Sequence, residues 1–208
     1  MTFDDFLSFV EPHVNACPTP VVLHHIKQAA IEFCERTGVW RERLDTLVAD
    51  GVSARYALPL DDQTEVSKLL EVVVGSPDGM PERYDVVSPL DGRDAQRLQT
   101  SDRIAWTDDR HDLFLHPIPE INKEIEVYVT LKPSQASFSF PDYIFHHHVD
   151  HIAAGALSRL FRMPRTDWYD PAAAVDKQNY FNSAINVQGL TAFRGNARSR
   201  RRHTTRWF

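Results

Sequence analysis

The spacing of apolar residues changes twice along the chain, and this change constrains the fold more than any other feature of the sequence. Up to about residue 40, apolar side chains recur every three to four residues, which is the period of an amphipathic helix. Between about residues 40 and 132 the period becomes two, as in half-buried strands. The helical period returns after Pro141. The sequence therefore predicts strands that lie between two helical parts.

Two helices are predicted in the first forty residues. Phe3, Phe6, Leu7 and Val10 have helical spacing and indicate a short helix before Pro12. A longer amphipathic helix is predicted over 20–37. Thr19 and Pro20 form its expected N-terminal cap and first turn, and Gly38 ends it.

Two more helices are predicted near the C-terminus. One follows Pro141 and carries a broad apolar stripe that ends before Pro164. The other opens at Asp170-Pro171, where a proline suits the first helical turn. The residues expected on the buried side of this last helix are Ala172, Val175, Tyr180, Phe181, Ile185 and Leu190.

The central segment reads as short strands separated by turn residues. The strands are predicted over 43–49, 53–58, 68–74, 83–87, 102–106, 111–116 and 123–131. Turns are expected at Asp50-Gly51, at 76–79 and at Asp91-Gly92, and a short helix over 89–98 competes with the last of these turns. Strands spaced in this way favour an antiparallel meander, a barrel or a small sandwich.

These elements together predict an α+β architecture, in which helices from both ends of the chain form one bundle. The helical bundle is expected to comprise residues 1–40 and 134–194. The β-rich module, residues 41–133, is inserted between its helices. Residues 195–208 form an extended basic C-terminal arm.

The C-terminal arm carries a charge opposite to that of the rest of the chain. Residues 191–208 contain six arginines and no acidic residue, so the remaining residues carry a net charge of −12 against −6 for the whole chain. Arginine forks pair with carboxylates or phosphates, and terminal aromatic side chains anchor in apolar pockets. The residues expected to dock in this way are Arg198, Arg200, Arg201, Arg202, Arg206, Trp207 and Phe208. A solubilising tail is the alternative interpretation.

Histidines are concentrated at 146–148 and 151. His147 and His151 have the i, i+4 spacing of paired metal ligands, but the residue after His147 is His148 instead of the glutamate that a metalloprotease helix requires. Successive histidines also point about 100° apart on a helix and cannot converge on one ion. We expect polar positions on a half-buried helix or at a subunit contact. A metal-dependent hydrolase that uses His147, Asp150 and His151 is a weaker alternative.

Motifs for catalysis are absent from the sequence. It has no nucleophile elbow, no phosphate-binding glycine loop and no Cys-X-X-Cys pair. Cys34 falls in the apolar sector of the helix at 20–37, where a cysteine is usually a small core residue. We therefore predict a protein that is not an enzyme and uses no cofactor or metal ion.

Three sequence blocks stand out in the helical parts of the chain. The blocks are Cys17-Pro18-Thr19-Pro20 with 28–41, Ile152 to Pro164, and Trp168-Tyr169-Asp170-Pro171 with Ala172 to Ala174. They resemble the head-to-tail adaptor family of tailed bacteriophages, which connects the portal to the tail in podovirus-like particles. The β-rich module agrees with that family only in length and order. The resemblance implies a structural protein of the virion neck or tail that is made in the bacterial host cytoplasm.

The resemblance also implies the partners. These are identical subunits in a ring of twelve, the portal protein, and a tail nozzle or tail tube protein, with tail fibres as a further candidate. The C-terminal arm is expected to insert into the portal, and genomic DNA to pass through the lumen without specific binding; no membrane is involved. His147, His148, His151, Trp168 and Tyr169 are the candidate subunit contacts. A nucleic-acid-binding protein that grips through the arm, and a tail-completion or stopper protein, remain alternatives.

Overall fold

A computed structural model describes residues 1–75, 80–98, 102–108 and 112–194. Its α-helices are α1 (Leu7–Val10), α2 (Thr19–Thr37), α3 (Pro89–Leu98), α4 (Asp142–Leu160) and α5 (Pro171–Arg194), and 3-10 turns flank α1 at Phe3–Phe6 and Glu11–His13. The predicted helices at both ends are thus confirmed, as is the short helix over 89–98. The predicted turn at Asp91-Gly92 is wrong, because both residues lie inside α3. No helix in the described ranges is long and apolar enough to cross a membrane.

Eight strands in the described part of the chain form one sheet. They are β1 (Arg41–Arg43), β2 (Leu47–Val48), β3 (Arg55–Ala57), β4 (Thr64–Gly75), β5 (Glu82–Val86), β6 (Ile104–Thr107), β7 (Asp112–His116) and β8 (Glu124–Pro133). Their order is β1-β8-β4-β5-β6-β7-β3, and β2 also pairs with β8. The strand predicted over 43–49 is divided into β1 and β2. The turn predicted at 76–79 lies outside the described residues.

One pair in the sheet departs from the antiparallel prediction. β5 and β6 run parallel, with Asp85 opposite Ile104 and Val86 opposite Ala105. Parallel neighbours need a crossover connection, and α3 lies in the connection here. Gly92 of α3 sits directly against Trp106 of β6. The sheet is therefore mostly antiparallel with one parallel pair, and neither a meander nor a fully antiparallel module describes it.

Local signals at the ends of α2 explain its length. Gly38 follows the helix with φ +61°, a left-handed conformation that glycine adopts without steric cost, and its N–H donates to the Cys34 carbonyl at 2.8 Å. The predicted cap at Thr19 is wrong. Thr19 is the first helical residue, Pro18 is the cap position, and the Thr19 hydroxyl donates to Glu11 at 3.2 Å.

Three long helices pack together and against the sheet. α4 contacts both α2 and α5, and α2 contacts α5 and β8. The Lys132 ammonium of β8 lies 3.4 Å from the Glu35 carboxylate of α2. Buried residues of helices and sheet form one continuous apolar cluster. The α+β class is therefore confirmed, while the arrangement of a bundle with an inserted module stays a prediction.

The buried side of α5 differs in part from the prediction. Phe181 and Ile185 are buried as expected, but Val175, Tyr180 and Leu190 are about half exposed. Ala172 is exposed as well. Ala174 and Ala184 complete the buried side. α5 carries apolar residues on two faces, and only one of them meets α2 and α4.

Candidate functional site

The histidine cluster lies where α2, α4 and α5 meet. The rings of His148 and His151 on α4 lie 5.0 Å and 6.2 Å from the ring of Phe33 on α2. His151 also contacts Tyr180 of α5, with 5.5 Å between ring centroids. His146 and His147 are exposed, as the turn of about 100° per residue requires. The helix that carries the histidines is therefore half-buried, and a subunit contact at these positions stays a prediction.

Burial disfavours the charged form of the two inner histidines. Loss of water contact, together with His151 and His147, lowers the pKa of His148 to about 4. Burial also lowers the pKa of His151, against the opposing effect of Asp150. The Nδ1 atoms of both rings are buried and have no hydrogen-bond partner among the described residues. These histidines serve as packing groups whose protonation the fold opposes.

The geometry gives no support to the alternative of a metal-dependent hydrolase. Within the described ranges, no three side chains of His, Cys, Asp or Glu are placed to hold a metal ion. His147 is exposed, whereas His151 turns inward against Phe33. Cys34 is fully buried, and its burial raises the pKa of the thiol far above the ordinary value. A buried thiol of this kind is a poor nucleophile.

The other two candidate subunit contacts lie in the loop between α4 and α5. Trp168 is half-buried and packs against the core, and its Nε1 is buried without a partner among the described residues. Tyr169 is about half exposed. Of the five candidates, His147 and Tyr169 are thus open to a second molecule, while His148, His151 and Trp168 mainly pack within the subunit.

A row of small residues joins α4 to α5. Ala153, Ala154, Gly155 and Ala156 are all buried. Gly155 faces the ring of Phe181, so the row allows close approach of helices inside one subunit. Beside it, the Ser158 hydroxyl donates to the Gly155 carbonyl and contacts the Gln178 side chain at 3.2 Å. The sequence left open whether this row packs inside a subunit or between subunits, and the contacts favour the first.

A half-buried ion pair crosses from α2 to α4. An Arg159 Nη atom lies 2.5 Å from the Glu32 carboxylate, which also accepts from Arg36. Burial lowers the pKa of Arg159, and Glu32 opposes that effect. Sequence reasoning missed this pair because 127 residues separate its members. It missed Phe33 as the partner of the histidines for the same reason.

The face of α5 directed away from α2 and α4 forms an exposed surface, which we call the α5 outer face. It contains Val175, Val187 and Leu190, each 53–56% exposed. Residues 178–193 include no Asp, Glu, Lys, Arg or His. Exposed helix faces usually carry charges, and the cores of protein interfaces are depleted of them. The missing charge was the signal in the sequence, and it was overlooked because the apolar residues were assigned to the core.

A groove lies beside the first half of α2, and we call it the α2 groove. It has a volume of about 370 Å³. Its lining comprises Phe3, Asp4, Pro20, Leu23, His24, Lys27, Gln135, Ser137 and Phe138. Phe138 is 68% exposed. The Lys27 ammonium is occupied locally, because it donates to the Gln135 carbonyl at 3.0 Å and lies over the Phe3 ring. The groove therefore combines the apolar side chains of Phe3, Leu23 and Phe138 with polar groups.

The C-terminal arm, residues 195–208, lies outside the described residues, and so do all the residues expected to dock. The described chain ends at Arg194, the last residue of α5. The arm thus continues directly from the helix that carries the α5 outer face. Its docking role stays a prediction.

Comparison with known proteins identifies the family of the chain. No curated protein matches it. The family model described as SU10 adaptor protein matches residues 1–206, which include both helical parts, the sheet and most of the arm. This match confirms the resemblance to phage head-to-tail adaptors and indicates a structural component of the virion. The chain belongs to the SU10 adaptor protein family.

Proposed function

We propose that this protein is the head-to-tail adaptor of a tailed phage, and that it forms a ring of twelve identical subunits between the portal and the tail. The observation that carries the proposal is the family match over residues 1–206. A ring matches the symmetry of a portal vertex and gives genomic DNA a passage into the tail. The tail-side partner is a nozzle or tube protein, with tail fibres as a further candidate.

The opposite charges of the body and the arm support two different roles in this proposal. The body forms the lumen, and the arm binds the portal. Outside residues 191–208 the chain carries a net charge of −12, so a lumen formed by it has few phosphate contacts to offer and DNA slides without adhering. The arm brings five arginines and a terminal Trp-Phe pair, which suit an anchor in a pocket of the portal. A ring whose lumen is lined mainly by Lys and Arg would contradict this account.

The test is to mix the purified protein with the portal protein of the same phage and to measure assembly. Light scattering and negative-stain microscopy give the mass and the shape of the complex. Three variants are compared with the natural chain: deletion of residues 195–208, replacement of the arm arginines by glutamine, and W207A with F208A. The second and third variants keep the length of the arm and separate its charge from its aromatic anchors.

Rings on the portal that require the arm support the adaptor role. Complexes that survive the deletion leave the adaptor role in place and remove the arm as its anchor. A chain that ignores the portal and binds duplex DNA through the arm, with an affinity that falls steeply with salt, supports the rival nucleic-acid-binding function instead.

A further inference from the structure

The charge distribution of the chain limits where two copies can meet. Each copy carries a net charge of −6, and the excess of acidic residues lies outside the arm. Two such bodies repel each other wherever surfaces of like charge face each other across an interface. Contact between copies is therefore favoured at surfaces that carry no charge. Residues 178–193 of α5 contribute no charge to the α5 outer face, and Glu35, Arg36 and Lys68 border it beside Leu190.

The α5 outer face is also large enough to contribute to an interface. α5 has 24 residues, which corresponds to a length of about 36 Å. Val187 and Leu190 lie one turn apart on this face, and both are more than half exposed. The face offers nothing to DNA, because binding to the phosphate backbone requires cationic side chains. A concave protein surface with exposed apolar side chains is the partner that suits the α5 outer face.

The α2 groove is a concave surface of this kind, and it lies on another side of the same subunit. At about 100° per residue, Pro20, Leu23 and Lys27 lie on a face of α2 turned by roughly 140° from Phe33 and Arg36. Phe33 and Arg36 are the residues through which α2 contacts Phe181 and Asn182 of α5. The groove and α5 therefore lie on nearly opposite sides of α2. A ring needs two different surfaces per subunit placed in this way.

We propose that the α5 outer face of one copy docks against the α2 groove of the next copy, so that neighbouring subunits join head to tail. Val187 and Leu190 then cover the apolar surface of Leu23 and Phe138. This inference rests on the proposed adaptor function and identifies the two surfaces that close its ring. It assigns a role to two surfaces that each subunit alone leaves open.

The test is a charge-reversal cycle between the two surfaces. V187E and F138K each place one charge at an exposed position, so neither threatens the fold. The double variant V187E/F138K brings opposite charges together only if the two surfaces meet. V48E is the matched control, because Val48 is 61% exposed and lies on β2, near the end of the sheet where β8 begins. Native mass spectrometry counts the copies in the purified protein and in its complex with the portal protein.

We expect each single variant to weaken association between copies by about tenfold or more, since an unpaired charge is buried at the contact. The double variant recovers most of the loss, and V48E behaves as the natural chain. Unchanged association in both single variants overturns the inference but leaves the adaptor function standing, because rings on the portal still form. If association is weakened in both single variants and is not recovered in V187E/F138K, the two surfaces do not pair with each other and the inference is overturned. Loss of portal binding alone assigns the α5 outer face to the portal and also overturns the inference.

Discussion

Gly155 on α4 lies against the ring of Phe181 on α5, and a Cβ atom placed at Gly155 would come within 2.8 Å of Phe181 Cε2. Phe181 is only 1% exposed and also contacts Phe33 of α2, with 6.2 Å between ring centroids. The ring cannot move away without disturbing a third helix. The distance between α4 and α5 therefore depends on the absence of a side chain at residue 155.

Gly155→Ala is expected to destabilise the protein. Overpacking of a filled core costs about 1–3 kcal/mol, which exceeds the gain of roughly 1 kcal/mol from replacing a helical glycine by alanine. Gly189→Ala is the control, since a Cβ at Gly189 would meet its nearest neighbour, the Arg36 carbonyl oxygen, at an ordinary 3.7 Å. It is expected to raise the free energy of unfolding by about 0.5–1 kcal/mol. Urea unfolding measures both, and a Gly155→Ala variant as stable as the natural chain would contradict the packing.

Phe33→Ala is expected to remove the centre of the helical packing. Phe33 is fully buried, and its ring touches His148, His151 and Phe181. Loss of a buried phenylalanine costs about 3–5 kcal/mol, so the unfolding midpoint in urea should fall sharply. Phe138→Ala removes the same side chain from a site that is 68% exposed and should change the midpoint little. Equal effects of the two substitutions would show that α2, α4 and α5 are not packed as described.

His148 is expected to make the protein less stable in mild acid. Its pKa in the fold is about 4, below the ordinary 6.5, because burial and the neighbouring His151 and His147 disfavour the charged ring. The unfolded chain therefore binds more protons between pH 6.5 and 4. Stability is complete above pH 6.5 and is lost as the pH falls towards 4. Phe33 of α2 faces the ring, and the surrounding surface carries Arg41, Gln188 and Thr191, which cannot compensate a positive charge.

His148→Gln tests this pH dependence, because glutamine stays neutral throughout the range. The variant is expected to lose less stability between pH 7 and pH 5 than the natural chain, whatever its stability at pH 7. His146→Gln removes an exposed histidine from the same helix and serves as the control. Urea unfolding at the two pH values gives the comparison, and an identical loss in the natural chain and in His148→Gln would refute the assignment.

The helices were predictable from the sequence because their signals are local. Gly38 ends α2, and Pro171 opens α5, as the apolar period suggested. The pairing of β5 with β6 was not predictable, since it depends on how α3 returns the chain to the sheet. Strand order is set by contacts between distant residues, and alternation of apolar residues contains no information about it.

The candidate site was predictable only in outline. The histidine pattern indicated a half-buried helix face, but the partner that buries His148 and His151 is Phe33, more than a hundred residues earlier. On α5, the apolar residues occupy two faces of the helix, and composition does not tell which face the core covers. Val187 and Leu190 could be assigned to an exposed face only once the structure showed that they lie outside the core.

The ion pair between Glu32 and Arg159 is expected to matter more than the ion pairs of the sheet. Arg159 is three-quarters buried, one of its Nη atoms has no partner among the described residues, and Glu32 is the carboxylate that compensates its charge. Glu32→Gln leaves this charge without its counter-ion and should destabilise the protein by roughly 1–3 kcal/mol.

Glu71→Gln is the matched control for this prediction, because the pair of Glu71 with Arg83 joins side chains that are 35% and 72% exposed. Water screens such a pair, so its loss is expected to cost about 0–1 kcal/mol. Adding Arg159→Met to Glu32→Gln should recover part of the lost stability, since the double variant removes the uncompensated charge and keeps the apolar stem. Urea unfolding of Glu32→Gln, Glu71→Gln, Arg159→Met and the double variant Glu32→Gln/Arg159→Met gives the comparison. Equal losses for Glu32→Gln and Glu71→Gln would mean that solvent reaches the Arg159 guanidinium freely and that the pair adds no more to α2–α4 packing than a surface contact does.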